Sequence, residues 1–399
     1  MTHNKQIVIA GGGIGGLAAA LALAQDGYSI TVLEQASSFG EIGAGIQLGP
    51  NAFKVFDLLG LTQAITQVAY FPPAMGMNDI RTGEPVVRVP LGEAARALYG
   101  HSYAVIYRVD IHHVLLQACR ALPNISLRTS AKLSSFEHSS QGVHIRLADG
   151  QTLQAHALIG ADGLWSKVRE SVVGDGKPRV SGHIAYRAVL KREDVPAHLW
   201  SDDVLLWGGE KTHLVHYPLR RGELFNLVAV FHSSKYDEGW NTFGDSAELA
   251  ERFAQAVPQV RELLDKIQTW KMWVLCDRDP VKVWSQGCVT LLGDAAHPML
   301  QYLAQGAVQA MEDAVVLRQA VRHHRGDFVP AFAAYQRARY LRTARVQLTA
   351  RFYGDIYHAS GVHRELRNQL FQSGQESAGF AGLKWMYQGL DMNQLFETL

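Results

Sequence analysis

Cysteine is scarce in this chain, at three residues, Cys119, Cys276 and Cys288. So few thiols, odd in number, exclude a disulfide framework and make a reducing cytoplasm the expected setting. Each sits among apolar neighbours, which reads as a buried, inert thiol. Charge of one sign is missing too: 38 Lys and Arg face 37 Asp and Glu, for a net +1. No basic footprint marks a nucleic-acid partner and no acidic tail is present. No apolar run is long enough to span a bilayer, and the polar Met1 to Lys5 leads straight into a strand. Neither an integral membrane segment nor a signal peptide is therefore expected. Metal-ligand spacing is also lacking. The 17 histidines form no HExxH, CxxC does not occur, and the pairs His112-His113 and His323-His324 read as polar surface. No metal is expected.

What is present begins at Gln6. Gln6 to Ala10 is a short apolar run of the buried parallel type. Gly11-Gly12-Gly13-Ile14-Gly15-Gly16 follows, then an Ala- and Leu-rich helix from Leu17 to Asp26, then a second strand, Ile30 to Leu33, closed by Glu34. This is the βαβ unit of a dinucleotide fold. Gly11 permits the tight turn, Gly13 lets backbone approach a pyrophosphate, and Gly16 permits close helix–sheet packing. Glu34 is placed to accept from a ribose hydroxyl. The glycines from Gly40 to Gly49, Gly45 among them, suit backbone lying against a large flat group. No second GxGxxG occurs, so one dinucleotide is bound and any nicotinamide cofactor visits transiently.

Two further strand–turn–acid signals lie downstream. Ala157 to Gly163 is an apolar strand ending at Asp162-Gly163, with Arg169 on a following helix. Tyr107-Arg108-Val109-Asp110 opens another helix, where Arg108 either neutralises phosphate or is a surface charge. Cys288 to Leu292 leads to Gly293-Asp294-Ala295-Ala296-His297-Pro298, and Gly306 opens an amphipathic helix. A carboxylate delivered beside a helix N-terminus can hold a ribose hydroxyl and a nearby anionic group.

Gly11–Gly16 with Glu34, Asp162-Gly163 with Arg169, and Gly293-Asp294 with His297-Pro298 resemble the three motifs of the single-component flavoprotein aromatic hydroxylases. The resemblance covers about residues 6 to 350. It implies an α/β fold like that of 4-hydroxybenzoate hydroxylase: a Rossmann-like FAD-binding domain, an inserted, mostly antiparallel substrate sheet, and C-terminal helices. The expected division is residues 1–75, 100–178 and 272–350 for FAD, 76–99 and 179–271 for substrate, and 351–399 as a helical tail. It further implies bound FAD, NADH and O2 as transient co-substrates, and oxygen delivery to an activated ring from a flavin hydroperoxide. A homodimer is expected.

Within that group, His213 to Arg220, Cys276 to Pro280, and Leu292 to Ala304 resemble the branch that hydroxylates 3-hydroxybenzoate at C6, para to the phenol, giving 2,5-dihydroxybenzoate. Gln301 stands where many relatives have Pro, as that branch has it. Another aromatic acid, 6-hydroxynicotinate or salicylate, is the alternative, and a flavin-binding protein without turnover is a more distant one. Val180 to Arg192, Asp203 to Trp207, Thr212 to Tyr217 and Leu224 to Phe231 read as strands of the substrate sheet. On Thr212 to Tyr217, alternation puts His213 and Tyr217 on one face and His216 on the other. His213 is expected to take the phenolic proton, since an unperturbed imidazole suits a base at neutral pH. Tyr217 orients the ring and Gln301 hydrogen-bonds the substrate. Arg187 is open between a carboxylate partner and a salt bridge. Glu312-Asp313 are open between solvent and capping a turn, and the Arg-rich face of the Phe328 to Phe352 helix reads as solvated or dimer-facing.

Overall fold

The computed structural model describes residues 5–40, 43–235, 242–373 and 382–391. Parts of the expected glycine loop (Glu41, Ile42) and of the tail (374–381, 392–399) lie outside these.

The first sheet has six strands, in the order Ser285–Gln286, Val289–Leu291, Ala157–Gly160, Gln6–Ala10, Ser29–Leu33, Ile125–Arg128. All its pairings are parallel except the Ser285–Gln286 hairpin. Its central strands are largely apolar because one face packs on the Ile14–Ala24 helix and the other on a three-stranded antiparallel sheet, Leu133–Ser139, Gly142–Leu147 and Thr152–Ala155. The Ile14–Ala24 helix is small and apolar on nearly every side and sits fully buried between this sheet and the Gly306–His323 helix. The three sequence motifs end three adjacent strands of this sheet, at Ala10, Gly160 and Leu291. That shared edge is where such folds bind nucleotides.

The second sheet has eight strands: Thr242–Phe243, Lys271–Asp277, Arg179–Lys191, Leu224–His232, Thr212–Leu219, Val204–Gly209, Ala74–Asp79, Pro85–Pro90. It is antiparallel apart from the pair Val204–Gly209 with Ala74–Asp79. Lys271–Asp277 pairs with Arg179–Lys191, so this sheet runs six residues past the expected boundary at 271/272. One face packs on the helices Ser246–Arg252 and Pro258–Asp265 around Phe225, Phe231 and Trp270. The other meets Tyr302, Val346 and Tyr387.

Among the described residues the helices Phe328–Tyr357, Gly361–Ser373 and Lys384–Tyr387 close the molecule. Phe328–Tyr357 is longer than expected by five residues and continues beneath the second sheet. The short Lys384–Tyr387 helix docks on the body: Arg342 donates to the carbonyls of Trp385 and Met386 at 2.7 and 2.8 Å, and Tyr387 lies edge-on to Tyr99 and Tyr103.

Candidate functional site

The glycine turn is shaped by what its residues exclude. A Cβ on Gly11 would lie 2.2 Å from the Ala161 carbonyl oxygen, and Gly11 has φ +113°, which side chains rarely adopt. A Cβ on Gly16 would lie 2.0 Å from the Gly11 oxygen, so only glycine lets the helix start against the turn. Gly13 is the residue from which that helix begins, with amide groups facing forward at its positive end. Glu34 accepts from the Gly12 and Ala36 amides at 3.0 and 2.8 Å, which fixes its carboxylate beside the turn with lone pairs still available.

Asp162 is placed differently. Its carboxylate accepts from the Ser166 hydroxyl at 2.5 Å and from the Lys167 and Val168 amides at 2.7 and 3.3 Å. It therefore caps the Lys167–Val172 helix rather than reaching outward, and burial pushes its pKa up. Gly163 takes φ +77° in the same turn. Arg169, fully buried, donates to the carbonyls of Ala295 and Ala296 at 2.9 and 2.6 Å and pairs with Asp175 at 2.6 Å. The second motif thus holds the third in place.

Asp294 itself is exposed, and its Oδ1 lies 3.9 Å from where a Gly306 Cβ would be, at the N-terminus of the 18-residue helix. Arg108 is the first residue of the Arg108–Arg120 helix, its amide bonded to the Ala44 oxygen at 2.8 Å. Gly45 donates its amide to Asn226 at 2.7 Å, and a Cβ there would strike Tyr217 at 2.6 Å. Glu34 on one side, the bare turn, exposed Asp294 and the Gly306 helix start on the other make a cradle that fits a dinucleotide. FAD would be held by these residues.

Behind Asp294 is a buried knot, in which the Arg face expected to be solvated or dimer-facing meets the acids left open between solvent and capping a turn. Arg339 is fully buried and pairs with Asp313 at 2.6 Å and Glu312 at 2.7 Å, while Arg342 pairs with Glu312 at 2.7 Å. Asp313 also accepts from the Gly293 amide at 2.9 Å and meets His297 Nε2 at 2.6 Å. So the reading of the Arg face as solvated is corrected for Arg339, and Asp313 caps the neighbouring turn. Burial drives both carboxyls upward, but the surrounding cations outweigh it and hold each at about 2.

The substrate-side residues converge from separate elements. Tyr217 and His213 do share a face, and His216 points away to accept from Trp207 Nε1 at 3.0 Å. Tyr217 is buried beside Gly45, Gln47 and Arg187, and burial raises its pKa, so its phenol stays protonated. Gln301 accepts from Arg187. Arg187 lies over Trp273, at 5.3 Å, and its Nε is buried without a hydrogen-bond partner. Burial and Arg108 lower its pKa to about 10, so it remains a cation at neutral pH. Tyr302, the next residue after Gln301, packs on His213 with ring centres 5.5 Å apart.

His213 is not the freely titrating imidazole expected. Burial, then His183 and His232, depress its pKa to about 3. It sits in a cluster that spacing could not reveal: His183, His232 and His358 bring their ring nitrogens within 4.8 Å of one another, with His213 bonded to His358.

The comparisons with known proteins agree with this geometry. A family model described as FAD binding domain matches residues 4–330. The chain belongs to that family. It is 47% identical over 96% of its length to a 3-hydroxybenzoate 6-hydroxylase of Polaromonas naphthalenivorans (strain CJ2), covering 95% of that protein. It is 44% identical over 97% of each chain to one from Klebsiella oxytoca. A 6-hydroxynicotinate 3-monooxygenase of Pseudomonas fluorescens is 34% identical, with 87% of this chain and 90% of that one covered. Among solved structures, Klebsiella pneumoniae HpxO with FAD and uric acid superposes with TM-score 0.87 at 26% identity, covering 98% of both chains. HpxO with FAD thus shares this fold.

Proposed function

We propose that this chain is an FAD-dependent monooxygenase that uses NADH and O2 to hydroxylate 3-hydroxybenzoate at C6, yielding 2,5-dihydroxybenzoate. The observation that carries the reading is Gln301 beside half-buried, cationic Arg187, with Tyr217 and His213 on the adjoining strand face. The nearly full-length likeness to 3-hydroxybenzoate 6-hydroxylases supports it.

Bound FAD supplies hydride acceptance and oxygen activation. The chain's own groups bind the aromatic acid, exclude water and manage one proton. Arg187 is the cation that faces the ring's carboxylate, and Gln301 holds it in place. Tyr217, protonated, donates to the phenolic oxygen. His213 is neutral at pH 7, so one ring nitrogen can take the phenolic proton as the other gives its own up, and the resulting phenolate pushes charge to its para carbon. Tyr302 and Tyr357 keep water from this face. A cytoplasmic protein with free thiols fits the three cysteines, none paired. Among the described residues no helix is long and apolar enough to cross a membrane. A homodimer would cover Leu341, Leu348 and Phe352, exposed along one helix, together with Val362 and Leu366 on the next.

The test is the visible spectrum of the purified protein, followed by NADH oxidation with and without 3-hydroxybenzoate. A yellow protein whose NADH use rises with 3-hydroxybenzoate and yields 2,5-dihydroxybenzoate is expected. Stimulation by 6-hydroxynicotinate or salicylate instead would replace the substrate. A colourless protein that cannot take up FAD would overturn the reading. His213→Ala should slow hydroxylation far more than flavin reduction, by about a hundredfold or more; equal slowing of both steps would remove His213 from its role.

A further inference from the structure

His213 is buried, so a proton that reaches it needs a way out. Its Nδ1 lies 2.7 Å from Nε2 of His358, and Nδ1 of His358 lies 2.9 Å from Nε2 of His232. Exposure rises along this row, from 2% at His213 to 8% at His358, to a half-buried His232. His232 lines a surface cavity of about 340 Å³, beside Lys211, Glu210 and Arg252. The row is assembled from three elements: the Thr212–Leu219 strand, its antiparallel neighbour Leu224–His232, and the C-cap of the Phe328–Tyr357 helix. Gly208 allows the approach, since a Cβ there would lie 3.0 Å from the Tyr357 oxygen. The Lys211 amide then bonds the His358 carbonyl at 3.4 Å.

We propose that His213, His358 and His232 form a proton relay that carries the substrate's phenolic proton from the buried site to the surface cavity. The inference rests on the function proposed above. Each interior ring is entered through one nitrogen and left through the other, which is what a relay requires of imidazole. The phenolic O–H breaks as an N–H forms on Nε2 of His213. The Nδ1 proton of His213 moves to Nε2 of His358, the Nδ1 proton of His358 to Nε2 of His232, and that of His232 to water. One proton leaves, no electron moves, and the negative charge stays on the substrate. When the product is protonated on release, the same path in reverse resets the tautomers.

The surroundings suit transit rather than storage. Burial depresses the basicity of all three, helped by neighbouring rings at His213 and His358 and by Lys211 at His232, so each ring is neutral at pH 7 and takes a proton on one nitrogen only as it gives one up from the other. His183 stacks on His232 at 4.1 Å and bonds Tyr302 at 2.5 Å, which keeps it beside the row and not in it. Lys211 and Arg252 disfavour a proton resting on His232, against an opposing influence from Asp355. Tyr302 and Tyr357 are the rings that wall His213.

The experiment mixes FAD-loaded protein with 3-hydroxybenzoate in weakly buffered solution and follows proton release with an indicator dye and phenolate absorbance. The wild type should release one proton per chain on binding. His232→Ala should slow release about tenfold or more, with added imidazole restoring it through the cavity. His358→Gln keeps a donor and an acceptor but cannot pass a proton through, so it should be slowed as well. FAD content reports folding of each variant. Wild-type release in either variant would overturn the relay, as would an alanine variant that imidazole does not restore. So would a stoichiometric transition metal in the purified protein, removed by either substitution, because the ring lone pairs would then be occupied. Wild-type protein that fails to respond to 3-hydroxybenzoate at all would remove the functional reading and the relay with it.

Discussion

Behind the turn Gly293–His297, Arg339 meets Glu312 and Asp313; behind the Thr212–Leu219 strand, His213 meets His358. Both groupings are buried and polar. The first stays ionised because every carboxylate has a cation within 2.7 Å. The second has no carboxylate within hydrogen-bond reach of His213 or His358 among the contacts described, and burial keeps it neutral. A buried charge needs a fixed partner and makes a rigid support; buried neutral imidazoles keep both donor and acceptor character and suit a mobile proton. The rigid knot holds the turn that carries Asp294, and the neutral row adjoins the strand face proposed to meet the substrate.

Removing one partner from the charged knot should have the largest effect. Arg339→Leu leaves Asp313 and Glu312 buried with fewer cations, and should lower stability by about 3–5 kcal/mol in urea titration. A loss below about 1 kcal/mol would mean Arg342 and His297 suffice, and the contrast drawn here would weaken.

Acid should separate the two groupings by pH. The histidines have folded pKa values depressed from 6.5 to about 3 for His213 and His216 and about 4 for His183. Unfolding lets them bind protons that the folded state refuses, so stability present above pH 6.5 falls as pH drops from there towards 4. Glu312 and Asp313 are depressed to about 2, so their contribution is lost only below their unfolded values of 4.5 and 3.8. Thermal melting across pH 7 to 3 should therefore decline first in the histidine window. A flat profile down to pH 4.5 would contradict neutral burial of the cluster.

The smallest effect is expected at His216, on the far face of the same strand. His216→Phe leaves Trp207 Nε1 without its acceptor and should cost about 1–2 kcal/mol, while removing about one proton from the acid transition. Hydroxylation should be retained. Loss of hydroxylation there comparable to that of His213→Ala would show that the two faces of the strand are not functionally distinct.

Much of the cofactor end was legible in the chain. Strand, glycine turn, helix and terminal Glu34 are contiguous, and the steric demands on Gly11 and Gly16 arise within about thirty residues of chain. Strand alternation was enough to put His213 with Tyr217 and turn His216 away. Asp162 was legible as a turn acid but not as a helix cap, because Ser166 and the following amides decide where its oxygens point. Arg339 was read as surface because an Arg-rich helix face looks alike whether it meets water or Glu312 and Asp313.

By itself the sequence determined the nucleotide turn and the alternation of the substrate strand, since each depends on neighbours along the chain and on local sterics, while the plan of an FAD-binding domain with an inserted sheet came from its resemblance to a known family. The tertiary structure alone decided that His358 meets His213 across 145 positions, that Arg169 reaches across 126 to the third motif, and that Arg187 grips Gln301 across 114. Such contacts depend on where helix ends and sheet registers come to rest. Burial then settles the charge of these groups, through desolvation and partners that no local pattern of residues specifies.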